Sequence, residues 1–136
     1  MKNIKFIPKI LTALSTLITT IFVIILFLGR RTPFFNFAFL SELFEDFYLH
    51  VSNFAISYLI LFGVGYAWLL MGISLKYISI LAGLMLLCNF IYELFIPVLN
   101  TPDVVDAYYG LIGVISAYLY LLVIKKVGLN KVEDFK

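Results

Sequence analysis

Four stretches of about twenty residues, near 10–29, 53–73, 77–97 and 102–125, carry almost no charge, and a hydrocarbon slab of ~30 Å takes ~20 helical residues to cross. Lipid offers no partners to free backbone N–H and C=O groups, so each stretch must close its own hydrogen bonds as a helix. A membrane β-barrel would need polar and apolar residues in alternation, a pattern these stretches lack. Composition agrees: at 63% hydrophobic and 13% charged, with a mean hydropathy of +1.07, a chain this short has too few polar side chains to cover a water-soluble domain. The expected fold is all-α, a single integral membrane domain over 1–136 built as a four-transmembrane-helix bundle.

Charge placement predicts the orientation. Lys2, Lys5 and Lys9 precede the first stretch, Lys76 lies between the second and third, and Lys125, Lys126, Lys131 and Lys136 follow the fourth, leaving only Arg30 and Arg31 for the opposite side. The positive-inside rule then puts both termini in the cytoplasm. The first stretch ends in Gly29-Arg30-Arg31 rather than a small-x-small cleavage site, and it is too long for the apolar part of a signal peptide, so it reads as a retained span. Cys88 is the single cysteine, which rules out an internal disulfide.

Along the chain, Thr12, Thr16, Thr19 and Thr20 recur at helical spacing, a stripe expected to pack on a neighbouring helix with hydroxyls bonded to backbone. The loop at 30–49 interleaves seven aromatic residues with polar ones, which predicts a short amphipathic helix near 39–49 lying in the membrane interface. Gly63, Gly65 and Gly72 are expected to allow close helix approach. The very short connection Ser74-Leu75-Lys76 makes the second and third spans an antiparallel hairpin.

The acids are the unusual feature. Glu93 and Asn89 share a helical face, and counting ~1.5 Å per residue from the start of the third span places Glu93 roughly 24 Å along, just inside the far boundary. An acid there is expected to face the bundle. Thr101-Pro102-Asp103 reads as a helix start, with Thr101 as cap and Asp103 in the first turn complementing the helix dipole. Asp106 opens a stripe of small residues, Gly110, Gly113 and Ala117, that should face another helix. Asp46, His50, Asn53 and Ser57 would share one face if the helix is continuous through them. The candidate polar pocket is therefore Asp46, His50, Asn53, Asn89, Glu93, Asp103 and Asp106, gathered at the outward end of the bundle.

Several chemistries are excluded. The chain has no His/Cys cluster for structural zinc, no glycine-rich phosphate loop, no Ser/His/Asp arrangement and no basic patch for nucleic acid. No cofactor is required, although Glu93, Asp103 and Asp106 form a weak candidate set for a divalent cation, and no residue is assigned a catalytic role. Membrane lipids are the expected partners, with a homo-oligomer or an envelope protein as further options.

The run Asp46-Phe-Tyr-Leu-His50, an acid late in the next span at Glu93, and a turn into Asp103 with Gly110 following resembles the VanZ-like family of small bacterial membrane proteins. The likeness covers about 44–124. Phe47, Ile96 and Ala107 replace the family's usual Lys, Gln and Asn, and Gly113 comes one residue early. The resemblance implies an envelope role in the bacterial cytoplasmic membrane, tied in the namesake to glycopeptide tolerance, with no established reaction. Three readings stand at this point: an outward acidic pocket binding a lipid head group, cell-wall fragment or cation; a structural or accessory subunit whose acids hydrogen-bond between helices; and a metal-assisted lipid-modifying enzyme.

Overall fold

The computed structural model describes residues 4–95 and 103–132. Its elements in chain order are β1 (Phe6–Pro8), α1 (Ile10–Gly29), a 3-10 turn (Pro33–Phe35), α2 (Ala38–Leu43), α3 (Phe47–Leu70), α4 (Leu75–Phe95), α5 (Val104–Val127) and β2 (Leu129–Lys131). Four helices among the described residues, α1, α3, α4 and α5, are long and apolar enough to cross a membrane. The chain is a multi-pass membrane protein.

Helices α3 and α5 make the central pair, with α4 packed on both and α1 on α3. Between them lie Leu61, Leu69, Ile78, Val114, Leu121 and Ile124, all with essentially no exposure. The outer faces are apolar as well: Leu11 of α1 is 79% exposed and Leu87 of α4 is 57% exposed. Water would not tolerate such continuous apolar surface, whereas lipid is its natural solvent.

Small residues set the helix spacing. Gly113 lies directly against the backbone of Phe54, and Gly65 against the Leu121 side chain. Gly63 faces open space, so it has no part in close approach. Gly72 has another role: its φ of +77° ends α3, with its N–H bonding Leu69 O at 3.0 Å and the Ile73 N–H bonding Trp68 O at 2.9 Å. That paired bonding is a Schellman motif, which favours glycine at the left-handed position. It reverses the chain into α4 within a few residues.

The hydroxyl stripe on α1 does turn inward. Thr12, Ser15, Thr16, Thr19 and Thr20 are half-buried while Leu14, Leu17 and Ile18 are exposed, and Thr19 Oγ1 donates to Ser15 O at 2.7 Å. Ser15 Oγ also meets Tyr120 of α5 at 2.8 Å.

Three boundaries differ from the sequence expectation. Helix α3 begins at Phe47, six residues ahead of 53, and the short helix before it covers only Ala38–Leu43. Phe44, extended at φ −130° and ψ 106°, ends the short helix, and Asp46, left-handed at φ 59°, is the turn from which α3 starts. Helix α5 is capped by Asp103 itself, whose side chain accepts from Val105 N at 2.8 Å; Pro97, Asn100, Thr101 and Pro102 lie outside the described residues. The strands were not expected at all. β1 pairs antiparallel with β2, Phe6 opposite Lys131, and Lys125 Nζ sits 4.8 Å above the Phe6 ring. This clip fastens the start of α1 to the end of α5, so the chain enters and leaves the bundle at the same end.

Candidate functional site

At the end opposite the strands, three helix termini supply a polar layer. The first turns of α3 present His50 and Asn53, the last turns of α4 present Asn89 and Glu93, and the start of α5 presents Asp103 and Asp106. Within this layer a polar bond joins each pair of these three helices. His50 Nδ1 lies 2.9 Å from Asp106 Oδ1 and links α3 to α5. Asn53 Nδ2 donates to Glu93 Oε1 at 3.1 Å and links α3 to α4. Asn89 Nδ2 donates to Ala107 O at 3.0 Å and links α4 to α5. That last bond is possible because Gly110 has no Cβ: the Asn89 amide fills the space one would occupy.

The second carboxylate beside His50 belongs to Asp103. One of its oxygens caps α5, and the other, Oδ2, stands 3.6 Å from His50 Nδ1. Ligand atoms of His50, Asp103 and Asp106 all lie within 4.8 Å of one another. Their side chains are 15%, 34% and 17% exposed, so the trio opens outward through Asp103, while Glu93 is 2% exposed and sealed in the bundle. In the tautomer with its proton on Nδ1, His50 donates to Asp106, which fixes the ring and leaves Nε2 as an acceptor. Four carboxylate oxygens then share few donors in this corner. An imidazole with two carboxylates can take a cation or an ammonium group.

The geometry regroups the sequence-level candidates. The weak cation set changes membership: the trio brought together is His50, Asp103 and Asp106, whereas Glu93 is engaged by Asn53. Asp46 does not share a face with His50, because α3 begins one residue after it. It is exposed and lines a separate surface hollow with Arg30, Asn36, Ser41 and Tyr48. Ser57 is buried. Gly110, Gly113 and Ala117 are buried along α5, facing Asn89 in the first case and Phe54 in the second.

Three contributors went unnoticed in the sequence. The Tyr109 ring centroid is 5.5 Å from that of His50 and 6.0 Å from that of Phe47; its spacing of three from Asp106 was the available signal. Arg30 Nη1 donates to Ser52 Oγ at 2.6 Å, tying the end of α1 to α3. Tyr48 packs on Gly29 and its hydroxyl accepts from Phe37 N at 2.8 Å, which fastens the aromatic loop down. No family model, curated protein or solved structure matches this chain.

Proposed function

We propose that this chain is a VanZ-like protein of the bacterial cytoplasmic membrane, with both termini inside, whose polar layer faces outward and binds an envelope ligand. The observation that carries the reading is the convergence of His50, Asp103 and Asp106 within 4.8 Å at a partly open helix end. Ionisable groups at membrane depth are costly and are retained where they contact a ligand, a partner or each other. Their excess of carboxylate oxygens favours a positively charged group, whether a cation or the ammonium of a lipid head or cell-wall fragment. The aromatic segment 33–48, including α2, lies in the interface beside this opening.

Orientation is tested by chemistry from outside the cell. In a Cys88→Ala background, Phe34→Cys, at a position 87% exposed in the loop after α1, is expected to react with a membrane-impermeant maleimide in intact cells; reaction only after lysis reverses the topology. Cation binding is tested by thermal unfolding in detergent with Mg²⁺, Mn²⁺ and Ca²⁺. A ligand at ~100 times its Kd stabilises by ~2.7 kcal/mol, so Mn²⁺, which suits mixed imidazole and carboxylate donors, is expected to raise the midpoint of the parent and not of Asp106→Asn. A midpoint unmoved by all three ions rejects the cation as ligand.

A second reading is favoured by one specific observation. The bonds His50–Asp106, Asn53–Glu93 and Asn89–Ala107 close a triangle around α3, α4 and α5, which is what an accessory subunit held together by its polar residues would need. An Asp106→Asn protein that unfolds with the parent but fails to restore envelope-antibiotic tolerance to a deletion strain argues against that reading.

A further inference from the structure

Beside the polar trio lies an apolar cavity of about 310 Å³, lined by Phe22 of α1, Phe44 next to α2, Phe54 of α3, and Tyr109 and Ile112 of α5. Ser15 and Tyr120 join α1 to α5 nearer the strand-clipped end; beyond that bond the cavity separates the two helices. Its rims, Phe22 and Ile112, are 49% and 53% exposed, so it opens sideways from the bundle. At ~1.5 Å per residue, Ile112 is ~12 Å from the start of α5 and Phe22 ~18 Å from the start of α1, which puts the opening at hydrocarbon depth in a ~30 Å slab. At that depth the opening of a single copy of the chain meets lipid. A transmembrane helix, ~10 Å across, is too wide for this volume, whereas a single acyl chain fits it. The cavity adjoins the polar trio: Tyr109 forms part of its wall, and the Tyr109 ring centroid is 5.5 Å from that of His50.

We infer that this cleft takes one acyl chain of a membrane lipid and that the lipid's head carries a primary amine, held by Asp103 and Asp106. This rests on the reading of the polar layer as a ligand site and gives that ligand its class. An ammonium brings three N–H donors to a corner where Asp103 Oδ2 and Asp106 offer acceptors that His50 alone does not saturate. A quaternary ammonium brings the same charge and no donor, and a glycerol head brings neither the charge nor the match.

The test is lipid retention by the purified full chain, read by native mass spectrometry after exchange into micelles with equal phosphatidylethanolamine, phosphatidylglycerol and phosphatidylcholine. Phosphatidylethanolamine is expected to be retained about tenfold over phosphatidylglycerol, in keeping with charge-assisted hydrogen bonds, with phosphatidylcholine well below it. Asp106→Asn is expected to erase that preference while lipid still binds. Ile112→Trp, which fills the cleft from its exposed rim, is expected to lose retention of all three, and its thermal midpoint reports folding separately. A diazirine at mid-chain of the ethanolamine lipid is expected to crosslink the peptide containing Phe54 or that containing Ile112 in the parent. Equal retention of the three lipids overturns the amine assignment, and crosslinks confined to other helix faces overturn the cleft. If Asp106→Asn loses envelope function with lipid preference unchanged, this inference fails and the outward site stands; if it changes neither, both fail.

Discussion

Gly113→Leu is expected to lose more than ~3 kcal/mol of stability and to leave little folded protein in detergent. Overpacking a core ordinarily costs ~1–3 kcal/mol, because neighbouring side chains rotate or shift to absorb the added volume. At this position the obstacle is main chain. A Cβ on Gly113 collides with the Phe54 carbonyl oxygen, with the carbonyl carbon and Cα 3.1 Å away, so relief requires α3 and α5 to separate along their length. These two helices hold the bundle's centre, and a total stability of ~5–15 kcal/mol does not withstand that loss well. The other glycines supply graded controls. Gly65→Ala meets the end of a leucine side chain at Leu121, which can move, and should cost less. Gly63→Ala meets nothing within 4 Å and should stabilise by about 0.5–1 kcal/mol through helix propensity. Trp68, the single tryptophan, reports unfolding of α3 by fluorescence. A Gly113→Leu protein that unfolds at the parent's midpoint would remove the close α3–α5 crossing.

The same glycines show what the sequence could and could not say. Small residues on α5 at Gly110, Gly113 and Ala117 are spaced three and then four apart within a long apolar run, and their burial follows from helical periodicity alone. Gly63, Gly65 and Gly72 sit close together in an equally apolar run, yet they face open space, a neighbouring side chain and a turn. Only the identity of the facing element separates them, and that is tertiary information. The spans were legible because length and lipid solvation decide them. The strand clip was not, since Phe6–Pro8 and Leu129–Lys131 are three residues each and become a pair only once α1 and α5 have brought them together. Asp46 misled for a local reason. Aspartate tolerates the left-handed conformation better than most residues, so it broke a pattern that otherwise read as one continuous helical face with His50, Asn53 and Ser57. In the candidate site, periodicity assigned Asn89, Glu93 and Asp106 to inward faces, but pairing His50 with Asp106 rather than Asp46, and Asn53 with Glu93, needed the rotation of α3 against α4 and α5. The apolar cleft left no linear trace, because its walls come from separate elements.

Asn53→Leu is expected to destabilise the protein by about 1–2 kcal/mol, and adding Glu93→Leu to recover most of it. Interhelical hydrogen bonds in bilayers average only ~0.6 kcal/mol and reach ~1.7, since groups freed in lipid find other partners. A buried polar group that loses a donor costs ~1–3 kcal/mol, and Glu93 is 2% exposed, which sets the effect near the upper end of the bilayer range. Replacing both partners with leucine removes the buried acid together with its donor and fills the space with apolar side chains, which is often neutral. A single variant no less stable than the double would show that the 3.1 Å bond contributes nothing. The pair also divides the polar layer by role. If the double variant regains stability and still responds to the ligand that Asp106→Asn loses, then Asn53 and Glu93 hold the helices and binding belongs to His50, Asp103 and Asp106. If it regains stability and loses that response, the sealed acid and the open trio act as one electrostatic unit, and Glu93 tunes the charge that the opening presents.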